Sequence, residues 1–252
     1  MANKFDKILN EYLDFLKEKK IYKKDLAIEY EHSIEKLHNW KPKNDLGKLN
    51  SWFKKVKKNH PAIIKFQRLD QLKDWVYDDK KGIIRHRSKK FFKIIGIRTT
   101  KSGREVNNWD QPFIMQVGYK GGIIGLIRKK INGVPHYLIE AKFEPGNFGR
   151  IQLSPTLQAT YSNLERAHRG EKNFIKKNYF KNNYKTIRKY WVTEDGGRLF
   201  KKRNLHWIVN SNISSQKTPG NNFKWMTLWQ IREFIKKKDW VSPHLRSILS
   251  LI

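Results

Sequence analysis

The residues of this chain that could do chemistry are concentrated in residues 136–170. Lys142 and Glu144 stand two positions apart, so on a β-strand both side chains would share one face. Pro145-Gly146 follows at once, and a backbone turn there can fix the direction of the carboxylate. Glu144 could then act as a general base and Lys142 could stabilise an anion or hold a phosphate. The same pattern fits a carboxylate that only bonds the turn or pairs with Lys142.

Small polar side chains continue beyond this pair, at a density that ordinary core segments do not show. Polar atoms that point inward need hydrogen-bond partners, and a bound polar ligand can supply them. We therefore predict a ligand-binding role for Asn147, Ser154, Thr156, Gln158, Thr160 and Asn163. Some of them could equally brace the fold, above all Ser154, which is suited to capping a helix.

Ser154-Pro155 is typical of a helix start, because Ser accepts unpaired backbone N–H groups and Pro is tolerated at the first helical position. The pattern predicts a helix over residues 154–167, with Gly170 as its stop. It would carry an apolar stripe of Leu157, Tyr161 and Leu164 and a polar stripe of Thr156, Thr160 and Asn163. Its N-terminus would suit a diphosphate.

Five further residues are candidates outside this segment. His86 could protonate a leaving hydroxyl group, although a lone histidine is more often structural. Trp109 could form a flat wall for a base or sugar with Gln111 setting its orientation, or it could be a core residue. Arg203 and Asn204 could clamp a diphosphate or sugar.

The elements that must position these residues change in type along the chain. Apolar residues at helical spacing predict helices over residues 5–19, 25–40 and 49–58. Segments rich in β-branched and aromatic residues predict strands over 83–86, 91–98, 113–117, 123–130, 136–143, 186–193 and 205–209. Asn132-Gly133 predicts a hairpin turn, and helices are expected again over 227–238 and 243–251. We predict a helical section over residues 1–65 and an α/β domain over 66–252.

Composition excludes some classes of protein. The 252 residues contain no cysteine, which excludes disulfides and cysteine–zinc sites and fits a reducing cytoplasm. Acidic residues are spread through the apolar N-terminus, so no signal peptide is expected, and no apolar run approaches membrane-spanning length. We expect a cytoplasmic protein that has no membrane partner.

The formal net charge of +31 would by itself suggest a nucleic-acid or other anionic partner. Residues 171–190 strengthen that suggestion, because basic, amide and aromatic residues alternate there with a single acid. No recognised nucleic-acid motif accompanies the charge, so nucleic acid is not the expected partner. The charge would also attract a diphosphate-linked sugar.

Motifs along most of the chain, from about Leu69 onward, resemble the NDP-hexose 2,3-dehydratases of deoxysugar biosynthesis. They are IIRHRSKKFF, VNNWDQPFIMQ, GGIIGLI, AKFEPGN, QLSPTLQATYSN, TEDGGRLFKKRN and FKWMTLWQI, in family order. The EPGN and SPTxQATxSN runs are the most specific of them. The family resemblance implies a Nudix-like mixed β-sheet sandwich with flanking helices.

The resemblance also implies a reaction. A nucleotide-linked 4-keto-6-deoxyhexose, carried on dTDP or else GDP, would lose its C2 hydroxyl and give a 3,4-diketo-2,6-dideoxy sugar. The elimination needs acid–base groups and donors at the C4 oxygen, and we expect no metal or other cofactor. Family members typically carry two tandem copies of the domain, so we expect a homodimer here, and a downstream 3-ketoreductase would act on the product.

Two alternatives come from other classes. A Nudix hydrolase would cleave the sugar diphosphate, but it needs clustered carboxylates to hold Mg²⁺, and within the predicted 154–167 helix only Glu165 is acidic. A non-catalytic module would bind a nucleotide sugar or nucleic acid without turnover, and a strong salt dependence with polynucleotides would reveal the latter.

Overall fold

Short strands between residues 75 and 226 form two β-sheets, with helices before and after them. The computed structural model describes residues 4–119, 121–164, 185–211 and 218–252. The first sheet has the order β1-β2-β3-β4-β10 and is antiparallel except for β10, which runs parallel to β4. Its strands are β1 Trp75–Asp78, β2 Ile83–His86, β3 Phe92–Thr99, β4 Trp109–Gln116 and β10 Leu199–Phe200.

The second sheet is larger and mostly buried, with the order β12-β6-β5-β11-β9. Its strands are β5 Gly122–Ile131, β6 Val134–Phe143, β7 Ile151–Ser154, β8 Leu157–Thr160, β9 Lys185–Thr193, β11 Arg203–Asn210 and β12 Phe223–Met226. Asn132 and Gly133 join β5 to β6 with φ angles of 53° and 77°, which confirms the predicted hairpin turn.

This sheet splits in two beyond the β5–β6 hairpin. The two strands pair only between residues 128–131 and 134–137, after which β7 pairs with β6 and β8 pairs with β5. Thr156 lies where they part. Its hydroxyl donates to the Leu138 carbonyl at 2.5 Å and accepts from the Ile127 amide at 3.1 Å. The side chain thus pairs two buried backbone groups that the split would leave unsatisfied.

Helices cover one face of the second sheet. The helices of the described residues are α1 Lys4–Glu18, α2 Lys24–Leu37, α3 Leu46–Asn59, α4 Tyr161–Leu164, α5 Leu228–Ile235 and α6 Pro243–Leu249. Phe53 of α3 and Phe234 of α5 lie in the same core as Leu126 and Ile139 of the sheet. A second core, which includes Trp225, fills the opposite face. No described helix is long and apolar enough to cross a membrane.

The N-terminal helices are joined to the sheet by a buried ionic network. Arg128 of β5 bonds Glu35 of α2 at 2.9 Å and Glu31 at 2.6 Å, and the Tyr137 hydroxyl donates to Glu35 at 2.8 Å. Residues 4–65 therefore pack on the remainder of the described chain through charge pairs as well as through α3. The boundary at residue 65 stays a prediction.

The predicted helix over residues 154–167 is wrong for its first half. Residues 151–154 and 157–160 are strands, and only Tyr161–Leu164 is helical; residues 165–170 lie outside the described part of the chain. Ser154 caps no helix, because it pairs with Glu140 in the sheet. The alternation of Leu157 and Ala159 inward with Gln158 and Thr160 outward has the two-residue period of a strand. The Ser-Pro signal was local, and pairing with β5 and β6 overrode it.

The other predicted elements are confirmed with small shifts of their ends, and the mixed α/β class with two sheets is confirmed as well. Strands β1, β7, β10 and β12 were not predicted. Each has four residues or fewer, which is too short to show a clear alternation of apolar and polar side chains. The basic segment over residues 171–190 lies mostly outside the described residues.

Candidate active site

Strand β6 brings the two leading chemical candidates together at the split of the sheet. The Lys142 ammonium lies 2.6 Å from a Glu144 carboxylate oxygen, and the side chains are 22% and 38% exposed. Gln158 of β8 donates to the same Glu144 oxygen at 3.3 Å, and Lys142 reaches the Gln158 carbonyl at 3.5 Å. Lys142 and Glu144, together with Glu140 earlier on β6, are called the β6 cluster below.

The turn after β6 fixes the Glu144 backbone, as the sequence predicted. Its amide donates to the Arg150 carbonyl at 3.1 Å, and its carbonyl accepts from the Asn147 amide at 3.1 Å. The Asn147 side-chain nitrogen is buried and has no partner among the described residues. Glu144 is therefore held at the end of a strand by a closed loop, with its carboxylate turned toward Lys142 and Gln158.

Glu140 is a titratable member of this cluster that the sequence prediction missed. Burial raises the pKa of its carboxyl group to about 7, against the opposing charge of Lys142 and a hydrogen bond of 3.1 Å from the Asn222 side chain. The signal was present as Glu140, Lys142 and Glu144 at a spacing of two, the period of one strand face.

A second candidate region is a cavity of about 460 Å³ between the first sheet and the end of β8. It is called the aromatic cavity, and it is lined by Trp75, His86, Phe91, Phe92, Ile114, Gln116, Thr160, Ser162, Asn163, Leu199 and Lys202. The His86 ring meets the rings of Trp75 and Phe91 edge-on, with centroids 5.5 and 4.7 Å away. Three predicted site residues, His86, Thr160 and Asn163, are thus brought together from distant segments.

Ser88 contacts the His86 ring through two groups. Its backbone amide donates to Nδ1 at 3.1 Å, and its hydroxyl, which can donate or accept, lies 2.8 Å from the same nitrogen. A backbone amide can only donate, so Nδ1 carries no proton in this geometry and the neutral ring carries its proton on Nε2. His86 therefore offers a hydrogen-bond donor at Nε2, and the proton-donating acid predicted from sequence would require this contact to break.

Lys202 is the second residue of importance that the sequence prediction missed. Its ammonium bonds the Gln116 side-chain oxygen, and the Gln116 nitrogen donates to the Gly121 carbonyl at 2.8 Å. Burial lowers the pKa of Lys202, and the carboxylate of Glu194 partly opposes that shift. The sequence offered Lys201 and Lys202 side by side, and only the backbone course past β10 decides which one faces the cavity.

Glycines permit the close packing behind this cavity. A Cβ at Gly122 would lie 2.7 Å from the Asn204 side-chain oxygen and 2.8 Å from the Ala159 carbonyl. Asn204 is buried and donates to the Glu194 carboxylate, which lies 3.8 Å from His244. Asn204 is thus held behind the cavity by its neighbours and is not among the residues that line it.

The remaining predicted residues lie apart from both regions or serve the fold. Trp109 donates to Gln111 at 3.0 Å, and Gln111 donates to the Gly197 carbonyl at 2.8 Å, so both brace β4. The Arg203 guanidinium lies 4.7 Å from the Trp191 ring centre on the surface. Ser154 and Thr156 are buried in the split.

The two regions meet along β8. Gln158 contacts the β6 cluster and Thr160 lines the cavity, and two strand residues span roughly 7 Å. Among the described residues there is no group of three His, Asp or Glu side chains that could hold a metal ion. One end of β8 therefore lies beside a carboxylate paired with an ammonium, and the other end lies beside aromatic walls and a partly buried lysine.

Comparisons with known proteins give a consistent picture. A family model described as NDP-hexose 2,3-dehydratase matches residues 46–252. Two relatives, both called dTDP-4-dehydro-6-deoxy-alpha-D-glucopyranose 2,3-dehydratase, are similar to this chain. That from Saccharopolyspora spinosa is 33% identical over 186 residues, which are 73% of this chain and 37% of the relative. That from Amycolatopsis orientalis is 34% identical over 200 residues, which are 77% of this chain and 41% of the relative.

A third relative with the same description, from Streptomyces violaceoruber, is 40% identical over 126 residues, half of this chain and 28% of the relative. The matches thus span at most 41% of the length of these relatives. A solved structure, the Ap4A hydrolase of C. elegans, aligns with a TM-score of 0.32 and 16% identity, over 52% of this chain and 92% of that chain. The Nudix-like detail of the fold stays a prediction at that similarity.

Proposed function

The chain belongs to the NDP-hexose 2,3-dehydratase family, and from this premise we propose that it removes the C2 hydroxyl of a nucleotide-linked 4-keto-6-deoxyhexose. The product is the 3,4-diketo-2,6-dideoxyhexose, and the enzyme is a hydro-lyase. The family match over residues 46–252 is the observation that carries the proposal. The names of the relatives support a dTDP-linked 4-keto-6-deoxyglucose as the substrate.

Glu144 is the base in this proposal. The C4 ketone acidifies the C3 hydrogen, and the Glu144 carboxylate takes that proton while the electron pair moves toward the C4 oxygen. The Lys142 ammonium, 2.6 Å from Glu144, provides positive charge beside the developing enolate. The enolate then expels the C2 hydroxyl group, and the resulting enol becomes the 3,4-diketone.

Glu140 is the acid. A departing hydroxide must gain a proton, and a carboxyl group whose pKa is raised to about 7 still holds one near neutral pH. Glu140 takes the role that the sequence prediction gave to His86, because the Ser88 amide occupies Nδ1 of that ring. The proton taken by Glu144 and the proton given by Glu140 balance as one water lost.

Incubation with dTDP-4-keto-6-deoxyglucose, followed by mass spectrometry for the loss of one water, tests the function. The GDP-linked counterpart and a dTDP-hexose that lacks the 4-keto group are the matched controls. Water loss is expected from dTDP-4-keto-6-deoxyglucose and not from the dTDP-hexose that lacks the 4-keto group, and comparison with the GDP-linked sugar measures the preference for the nucleotide. Release of a nucleoside monophosphate in place of water loss would instead indicate a hydrolase, and binding without any product would indicate a binding module.

The assembly and setting belong to the same proposal. The chain works as a homodimer, supported by the exposed apolar side chains of Ile63, Phe66 and Leu69 between α3 and β1. The absence of cysteine supports a cytoplasmic setting. The 3,4-diketone is a reactive product, so a 3-ketoreductase consumes it. Light scattering at assay concentration tests the dimer, and a fully active monomer of 30.2 kDa would contradict it.

A further inference from the structure

We propose that Lys202 and His86 hold the nucleoside diphosphate part of the substrate in the aromatic cavity, Lys202 by bonding the diphosphate and His86 by donating from Nε2 to a carbonyl group of the base. The inference rests on the proposed function, since it names where the nucleotide of that substrate binds. Neither role follows from the sequence motifs. Both depend on the first sheet closing over the end of β8.

The walls of the cavity suit a flat ring. Trp75 and Phe92 lie with centroids 4.7 Å apart, and Phe91 and His86 continue the aromatic surface. Aromatic side chains stack well on nucleobases, because every base presents a π-face of similar size. A predominantly apolar pocket of about 460 Å³ that contains a few polar groups is typical of a small-molecule site.

His86 gives the aromatic cavity a preference among nucleobases. Its Nδ1 accepts from the Ser88 amide at 3.1 Å, so the Nε2 proton is the one the ring offers to a ligand. Thymine, uracil and guanine carry carbonyl oxygens that can accept this proton. Adenine carries no carbonyl oxygen and could accept this proton only at a ring nitrogen, which lies elsewhere on the base, so we expect an adenine nucleotide to bind more weakly.

Lys202 supplies the charge. Among the described residues that line the cavity it is the single lysine or arginine. Partial burial reduces solvent screening of its ammonium, which strengthens the attraction to a diphosphate. Its present acceptor within the cavity is the neutral Gln116 side chain, which a phosphate oxygen can replace.

The position of Lys202 connects the nucleotide to the β6 cluster. Thr160, Ser162 and Asn163 line the same cavity, and Gln158, two residues before Thr160, contacts Glu144. A diphosphate bonded to Lys202 near Thr160 therefore directs the attached hexose along β8. The reacting carbons then lie toward Glu144 and not among the aromatic rings.

Binding of free dTDP to the full chain, measured by calorimetry, provides the first test. Lys202→Met is expected to weaken dTDP binding by roughly tenfold or more and to leave thymidine binding unchanged. Lys201→Met is the matched control, because Lys201 is an exposed neighbour above the Phe200 ring, and it should bind dTDP like the unaltered chain. Lys202→Arg, which retains a cation, should restore part of the affinity, and thermal melting establishes that each variant is folded.

The His86 role has its own test. His86→Phe keeps a ring in the wall and removes the donor, so the preference for dTDP over ADP is expected to shrink. His86→Gln places an amide donor close to the position of Nε2 and should keep the preference. Equal dTDP-to-ADP ratios in the unaltered chain and His86→Phe would overturn the assignment.

Kinetics with the nucleotide sugar separates this inference from the proposed function. Lys202→Met should raise KM and leave kcat within a few-fold, since it is proposed to bind and not to react. A fall in kcat at unchanged KM would overturn the assignment by placing Lys202 at the reacting atoms. If the unaltered chain binds dTDP through Lys202 but releases no water, the nucleotide site stands and the dehydratase proposal fails. If the unaltered chain dehydrates the sugar while Lys202→Met and His86→Phe bind dTDP as the unaltered chain does, the dehydratase proposal stands and the nucleotide site fails.

Discussion

The aromatic cavity and the β6 cluster lie at the two ends of the four-residue strand β8, yet they are built differently. The cavity contains rings, a histidine whose Nδ1 is engaged by a backbone amide, and one lysine. The β6 cluster contains two carboxyl groups on either side of an ammonium, and one of them has a pKa raised to about 7. Rigid apolar walls suit recognition, whereas titratable groups in partial burial suit proton transfer. This difference is the basis for proposing that the aromatic cavity binds the nucleotide and that the β6 cluster carries out the chemistry.

The largest expected effect concerns Glu144. Glu144→Gln keeps the shape of the side chain and its contact with Gln158 but removes the base, so kcat should fall by about 10²-fold or more while KM stays similar. Steady-state kinetics with the nucleotide sugar measures both constants. Near-normal turnover would move the base elsewhere and would remove the distinction between the two regions.

Thr156→Val tests the hydroxyl group that bridges β5 and β6 at the point where the two strands part. The variant leaves the Ile127 amide and the Leu138 carbonyl without their shared partner, which should cost about 1–3 kcal/mol of unfolding free energy. Thr160→Val is the comparison on the same segment, because the Thr160 hydroxyl bonds only exposed partners, the Ser162 hydroxyl at 3.0 Å and the Asn163 amide at 3.4 Å, and it should therefore cost less than Thr156→Val. Urea denaturation compares them, and equal losses would contradict the bridging role.

Glu140→Gln examines the raised pKa. The folded protein holds a proton on Glu140 from the ordinary pKa of 4.5 up to about 7, so this group lowers stability as pH rises through that window. The variant should therefore gain stability relative to the unaltered chain at pH 8 and gain little at pH 4. Unfolding at the two pH values measures the difference.

The same substitution should alter the activity profile. If Glu140 is the acid, the activity of the unaltered chain declines above about pH 7 as Glu140 loses its proton. Glu140→Gln should be less active at every pH and should not show this alkaline limb of the pH profile. A variant that keeps both full activity and the limb would show that the acid is another group.

The smallest expected effect comes from metal removal. The proposed elimination needs proton transfer and stabilisation of an enolate by Lys142, so treatment with EDTA should leave turnover unchanged. The assay is the loss of water from the nucleotide sugar before and after chelation. Loss of activity that Mg²⁺ restores would contradict this mechanism.

Much of the fold was predictable from local patterns. The amphipathic α1, the hairpin at Asn132-Gly133 and the buried strands β5 and β6 all have strong periodic or turn signals. The segment after Ser154 was mispredicted because Ser-Pro is a valid helix start in isolation. Its strand state depends on pairing with residues more than 15 positions away, from which β8 gains its hydrogen bonds.

The candidate site divides in the same way. Lys142 and Glu144 were predicted because their spacing and the following turn are local properties, and the structure pairs them at 2.6 Å. Lys202 and Glu140 were missed because their neighbours, not their sequence context, make them distinctive. Burial shifts the pKa of each, and burial is produced by strands that lie elsewhere in the chain.

The sequence by itself determined the family, the two-residue spacing of Lys142 and Glu144, and most of the strands and helices, since motifs and short-range periodicity are read along the chain. Tertiary structure alone decided that the second sheet splits at Thr156 and that the first sheet closes an aromatic cavity over Thr160. It also decided which of two adjacent lysines enters that cavity. Desolvation and pairing between distant strands are collective effects, so they appear only when the chain has folded.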